Sequence, residues 1–211
     1  MKTFKTTKIQ AKLNNKLTQI SGTLNGYLYS TSANGQAMQL PMLPLKTADS
    51  WEFETVYTYN GGGNYPTVIA PSTQSYGLVM VIINGAFYVS LSSDGTNTDI
   101  CSETTGITVT TGTTYYIKFG FNGSQYYFKY NTDGSNNYTA AWVKNSTTKV
   151  YSNIPLWLMN WGYTNTTRWS SGQMNLFCTK FYINGSLYFS CVEYPTLMNA
   201  FVKNNKYYVM T

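Results

Sequence analysis

Glu52 and Glu54 stand two residues apart in SWEFETVYTY (residues 50–59). On a strand they share one face about 7 Å apart, a spacing from which a glycosidase can build its acid and its nucleophile or base. No third acid extends the pair into an E-x-D-x-x-E pattern, and the same residues are how the wet face of a strand looks, which is the preferred reading. The remaining acids are Asp49, Asp94, Asp99, Glu103, Asp133 and Glu193, and the 211-residue chain has no histidine. That removes Ser-His-Asp and Cys-His catalysis and the common zinc ligand sets. No Walker loop or dinucleotide fingerprint is present.

Two other stretches carry chemistry. DGTNTD (94–99) offers the hard oxygen ligands Asp94, Asn97 and Asp99 to calcium, without the 1-3-5 spacing of an EF-hand loop. A solvated turn is the preferred reading, and no cofactor is expected. PLWLMNWGYTNTTRWSSGQ (155–173) begins as a strand that places Trp157 in the core and turns polar after Gly162. There Tyr163, Asn165, Arg168 and Trp169 combine flat rings with hydrogen-bonding groups, a mixture that suits stacking on sugar faces. Trp169 as an anchor holding the loop against the core fits equally well.

Composition narrows the partners. Charged residues make up 10% of the chain and aromatics 17%, the reverse of a disordered composition. The net charge is +6, but Arg168 is the only arginine, and the one dense basic group is Lys2, Lys5, Lys8, Lys12 and Lys16. Nucleic-acid readers rely on arginine and basic clusters, so nucleic acid is not an expected partner. No apolar run is long enough to span a bilayer as a helix, so no membrane insertion is expected. The N-terminus lacks an apolar h-region, so no secretion signal is expected. Cys101, Cys178 and Cys191 do not make a disulfide framework.

Strands and turns must position these residues. In 50–59, Trp51, Phe53, Thr55 and Tyr57 point one way, with Glu52, Glu54, Val56 and Thr58 on the other face. Asn84-Gly85, Asn122-Gly123 and Asn184-Gly185 each separate apolar runs and predict hairpins with two-residue type I′ turns. About Asn84-Gly85, Leu78, Met80 and Ile82 with Phe87, Val89 and Leu91 form a core layer. The opposite face, Val79, Val81 and Ile83 with Ala86, Tyr88 and Ser90, is also apolar, which requires burial in the fold or a subunit or ligand contact. About Asn122-Gly123, Phe121 faces Ser124, Phe119 faces Tyr126, Ile117 faces Phe128 and Tyr115 faces Tyr130. This leaves Tyr116 and Tyr127 on the outer face, Tyr127 opposite Lys118 and Tyr116 opposite Lys129. About Asn184-Gly185, Cys178 falls opposite Cys191, where a disulfide is geometrically conceivable and reduced thiols are preferred.

These stretches, with GLVMVIINGAFYVSLSSDG, TTGTTYYIKFGFNGSQYYFKYNTDG and a closing element Gly172, Met174, Leu176, Phe181-Tyr182-Ile183-Asn184-Gly185, resemble a concanavalin A-like (laminin-G-like) jelly-roll domain. Such domains occur in phage tail fibres and other virion surface proteins. The resemblance covers roughly residues 21 to 190 and implies an all-β, antiparallel two-sheet β-sandwich. The expected organisation is a Lys-rich arm over 1–20, the sandwich over 21–192, and a C-terminal extension over 193–211 ending in an edge hairpin. The resemblance implies a non-catalytic fibre or decoration protein of a phage particle, assembled in the bacterial cytoplasm. Its expected partners are other virion proteins, copies of itself and host cell-surface polysaccharide. Contact is expected through Trp169, Arg168, Tyr163 and Asn165, aided by Tyr116 or Tyr127. A purely structural assembly protein with no ligand is the alternative, and a glycoside hydrolase using Glu52 and Glu54 ranks third.

Overall fold

Strand β3 (Trp51–Gly61) forms where alternation is strongest. Trp51, Phe53, Thr55 and Tyr57 are buried on one face, while Glu52, Glu54 and Val56 are half-buried on the other. A computed structural model describes residues 28–31, 38–40, 42–63, 65–72, 76–158, 173–191, 200–203 and 206–209. Every regular element among these residues is a strand, and no helix among them is long and apolar enough to cross a membrane.

Among the described residues the larger sheet has nine strands, all antiparallel neighbours. Its order is β10 (Thr139–Asn145), β9 (Gln125–Asn131), β8 (Thr114–Phe121), β3, β12 (Gln173–Ile183), β13 (Ser186–Cys191), β14 (Ala200–Lys203) and β15 (Lys206–Val209). Strand β1 (Leu28–Thr31) also pairs with β12. The smaller sheet has six, in the order β2 (Met38–Gln39), β11 (Leu156–Leu158), β4 (Thr67–Pro71), β5 (Leu78–Ile83), β6 (Ala86–Leu91) and β7 (Cys101–Thr108). Their facing sides make one core. Phe87 of β6 joins the layers, with its ring 5.3 Å from Tyr115, 5.4 Å from Phe128 and 6.1 Å from Tyr57 of the larger sheet. Trp51 is packed edge-on to Phe119 at 5.5 Å and stacked on Phe181 at 5.7 Å.

The Asn84-Gly85 hairpin has the expected register, from Ile83↔Ala86 out to Leu78↔Leu91, with positive φ at both turn residues. Its second apolar face is covered within the chain: Ala70, Val79 and Val81 are buried in a small separate cluster against Tyr65, Ile83 and Tyr88. Trp157 does not join the core. Leu156 and Leu158 fill it, and Trp157 alternates to the outer side, paired with Ala70.

Two registers differ from expectation. Around Asn122-Gly123 only Gly123 takes a positive φ, and Asn122 Oδ1 instead accepts from the Ser124 and Gln125 amides at 3.1 and 2.9 Å. The turn lengthens, and the ladder moves by two to Phe121↔Tyr126, Phe119↔Phe128 and Lys118↔Lys129. The faces are kept, but Gly120 now lies opposite Tyr127 and Asn131 opposite Tyr116, so the Lys118–Tyr127 and Lys129–Tyr116 pairs do not form. At Asn184-Gly185 the type I′ turn is present, but an irregularity after Phe181↔Phe189 shifts the pairing to Lys180↔Ser190. The shift moves Cys178 and Cys191 one residue out of step, while on the other edge of β12 Cys178 is paired with Val56 of β3.

The edge strand β10 carries a bulge between Ala140 and Trp142. Its Lys144 reaches Glu103 on β7, the edge of the other sheet, at 2.8 Å.

Candidate functional site

The solvent side of β3 supplies a cluster of charged and hydroxyl groups built by several strands. Alternation sets Glu52 and Glu54 outward. On β8 the same alternation sets Lys118 outward directly opposite Glu54. Lys118 Nζ lies 2.6 Å from Glu54 Oε1 and 3.5 Å from Glu52 Oε1. The Tyr127 hydroxyl donates to Glu52 Oε2 at 2.7 Å, and the Tyr182 hydroxyl to Glu54 Oε2 at 3.4 Å. Each of the four carboxylate oxygens thus has a partner from another strand of the sheet.

Glycine makes this reach possible. Gly120 lies between Tyr127 and Glu52 in the pairing, and a Cβ there would collide with Tyr127 Oη and Cζ and come 2.7 Å from the Trp51 carbonyl. The Tyr127 ring therefore reclines across β8. Lys129 Nζ stands 4.9 Å from its centroid, and Lys118 Nζ 5.0 Å from that of Tyr138.

Burial, with the Glu52 hydrogen bond and the two carboxylates, pushes the Tyr127 hydroxyl well above the usual tyrosine range. Burial and Glu54 do the same more mildly to Tyr182. For Lys118, burial opposes the charge, but the Glu54 hydrogen bond and both carboxylates outweigh it and raise its pKa.

A shallow open depression of about 450 Å³ lies over this cluster, bounded by Ser50, Glu52, Glu54, Asn122, Tyr127 and Tyr182. A smaller one of about 150 Å³ adjoins it through Glu54, next to Tyr138 and Lys180.

The sequence-predicted site residues are divided. Tyr127 is in the cluster. Tyr116 is half-buried two rows away at the level of Val56, its ring against Gly134. Tyr163, Asn165, Arg168 and Trp169 lie outside the described residues. Their flanking strand ends can be placed: Leu158 pairs with Ile69, and Gln173 with Gly61. Gly61 is at the far end of β3 from Glu52, about 30 Å along an extended strand. Sequence reasoning missed Lys118, Tyr182, Tyr138 and Lys180 as members of the cluster. The alternation of β8 and β12 marks Lys118, Lys180 and Tyr182 as outward, but only the pairing of both strands with β3 brings them to the glutamates.

The DGTNTD residues serve their own loop. Asp94 Oδ1 accepts from the Thr96 and Asn97 amides at 2.7 and 3.0 Å and from Ser92 Oγ at 3.0 Å, and Asn97 Nδ2 donates to Asp94 Oδ2. Asp99 accepts from the Ser93 amide and hydroxyl. These bonds, led by the Asn97 amide for Asp94 and the Ser93 hydroxyl for Asp99, hold both carboxyls below the usual range. Among the described residues no group of three or more His, Cys, Asp or Glu side chains could hold a metal ion.

No protein-family model and no curated protein sequence matches the chain. Among solved structures it is similar to the LG1–3 region of the laminin α2 chain, with TM-score 0.55 at 9% identity over 80% of this chain and 33% of that one. It is similar also to domains LG4–5 of the mouse laminin α1 chain, with TM-score 0.51 at 10% identity over 82% of this chain and 46% of that one. A looser likeness, TM-score 0.45 at 13% identity over 80% of this chain and 28% of that one, is to full-length tailspike protein 2 of an Escherichia coli O157:H7 bacteriophage. The chain spans less than half the length of each of these proteins. Two antiparallel sheets packed face to face, with β3 inside the larger one and laminin LG domains as neighbours, give the chain a concanavalin A-like, laminin-G-like β-sandwich fold.

Proposed function

We propose that the chain is a non-catalytic, lectin-like binding module on the surface of a phage particle, where it contacts glycans of the host cell. The observation that carries this reading is the engagement of all four oxygens of Glu52 and Glu54 by Lys118, Tyr127 and Tyr182. A glycosidase pair needs one carboxyl to give up a proton and another to attack or to activate water. Carboxylates held by a shared lysine and two hydroxyls in an open depression are instead fixed acceptors for sugar hydroxyls, with tyrosine rings beside them. The phage setting rests on the sequence resemblance. In that setting residues 1–20 and the 193–211 extension, whose β14 and β15 continue the larger sheet, join the module to other virion proteins and to further copies of itself. The alternative of an assembly contact through the second face of β5 and β6 is disfavoured, because Val79 and Val81 are buried within the chain.

The test is binding of the purified protein to a panel of bacterial surface polysaccharides, with release of reducing ends followed in parallel. Saturable binding without release is expected. Release by the wild type that disappears in Glu52→Gln/Glu54→Gln would make the protein a hydrolase and overturn the reading.

A further inference from the structure

The strand pairings line up one continuous row across the outer face of the larger sheet. Val143 pairs with Tyr127, Tyr127 with Gly120, Gly120 with Glu52, Glu52 with Tyr182, and Tyr182 with Leu187. With strands about 4.8 Å apart, the five steps span about 24 Å. The middle of the row forms the 450 Å³ depression. Its two ends are among the most exposed large apolar side chains of the described residues, Val143 at 51% and Leu187 at 55%. Apolar ends, two tyrosines and a floor of hydrogen-bond acceptors therefore fall on a single line perpendicular to the strands.

We propose that this transverse row is the glycan-binding groove, and that it takes a linear, hydroxyl-rich polysaccharide with uncharged sugar units over Glu52 and Glu54. The proposal rests on the lectin-like reading above and moves the site away from the 163–169 stretch. Sugar rings stack on Tyr182 and, with the Lys129 ammonium displaced from over its ring, on Tyr127; both hydroxyls are anchored to the carboxylates, so little freedom of the tyrosines is lost on binding. Sugar hydroxyls donate to the remaining lone pairs of the carboxylates, which Lys118 keeps in place. An acidic sugar at the centre would meet two carboxylates at the floor. Lys129 and Lys180, which pair with no carboxylate among the described residues, lie on the neighbouring row, one on each side of Lys118 and Glu54.

The experiment measures binding of the full chain to dextran, mannan and galactan, and to alginate as the acidic probe, at low and high salt. Tyr182→Ala, Tyr127→Ala, Tyr127→Phe and Trp169→Ala are compared with the wild type after circular dichroism has shown each to be folded. Tyr127→Phe keeps the ring should Tyr127→Ala not fold. The expected result is binding to a neutral polymer, insensitive to salt. It weakens about tenfold or more in Tyr182→Ala and Tyr127→Ala, and little in Trp169→Ala. Binding that survives both tyrosine-to-alanine changes but is lost in Trp169→Ala overturns the groove and leaves the lectin reading standing. Salt-sensitive binding to alginate alone overturns the neutral ligand. No binding to any polymer, here or across the bacterial panel, overturns both readings.

Discussion

Replacing Lys118 with methionine removes the cation shared by two carboxylates while keeping most of its apolar stem. Lys118, Glu52 and Glu54 have side chains only 27%, 27% and 24% exposed, so their contacts lie between the exposed and the buried case. Exposed ion pairs contribute about 0.2–1 kcal/mol, and hydrogen bonds to charged groups about 1.5–3 kcal/mol. For one 2.6 Å contact, one 3.5 Å contact and the carboxylate repulsion left behind, we expect Lys118→Met to lose about 2 kcal/mol at pH 7. In a domain of this size that is a drop in Tm of about 4–8 °C. In the wild type the raised pKa of Lys118 has a signature at alkaline pH. Its contribution is complete below about pH 10.4 and is lost as the pH rises through the folded-state value. Urea unfolding followed by tryptophan fluorescence at pH 7 reads the difference. A variant within about 0.5 kcal/mol of wild type at pH 7 would refute the account.

Asn184 occupies a positive φ, and its Oδ1 accepts from the Asp49 and Ser50 amides at 2.9 and 3.0 Å. Asn184→Ala should cost about 1–3 kcal/mol in chemical denaturation, and Asn184→Gly should recover only the backbone part. The Cys101 thiol is pushed up to about 12, chiefly by burial, so iodoacetamide at pH 8 should alkylate it only on unfolding. Rapid native labelling of the Cys101 peptide, read by mass spectrometry, would contradict this. Asp94 is held well below the usual carboxylate range, so its stabilising effect is present above the ordinary aspartate pKa and is lost as the pH falls toward the folded-state value. Asp94→Asn should therefore flatten the acid limb of the stability–pH profile, and an unchanged limb would count against the loop's hydrogen-bond network.

What could be read from the sequence followed the range of the signal. The faces of β3 and the hairpin at Asn84-Gly85 are local properties, and both are present as expected. Asn122-Gly123 looks the same in sequence, yet the Asn122 side chain caps the turn and moves the ladder by two, which local composition does not report. The irregularity after Phe181↔Phe189 has no glycine to announce it, so Cys178 and Cys191 looked opposed. The cluster around Glu52 was hidden for a different reason. Tyr127 and Tyr182 reach the glutamates only because β8 and β12 flank β3, and nothing local to any of these strands states that adjacency. The missing Cβ of Gly120 is what lets Tyr127 lie down across β8, and only the pairing shows it.

The position of β3 also dictates a timetable. Thr55 shares a buried hydrogen bond with Thr179, 124 residues further along the chain. While the protein is being synthesised, the hairpins β5–β6 and β8–β9 can close as soon as they emerge, and β3 can find β8 soon afterwards. Its other edge stays open until Gln173–Ile183 has left the ribosome. High contact order of this kind slows folding, and the nascent chain carries a long half-paired strand with its aromatic face unsealed for most of translation. Chaperone dependence and sensitivity to premature termination upstream of β12 then follow from topology, whatever the stability of the finished sandwich.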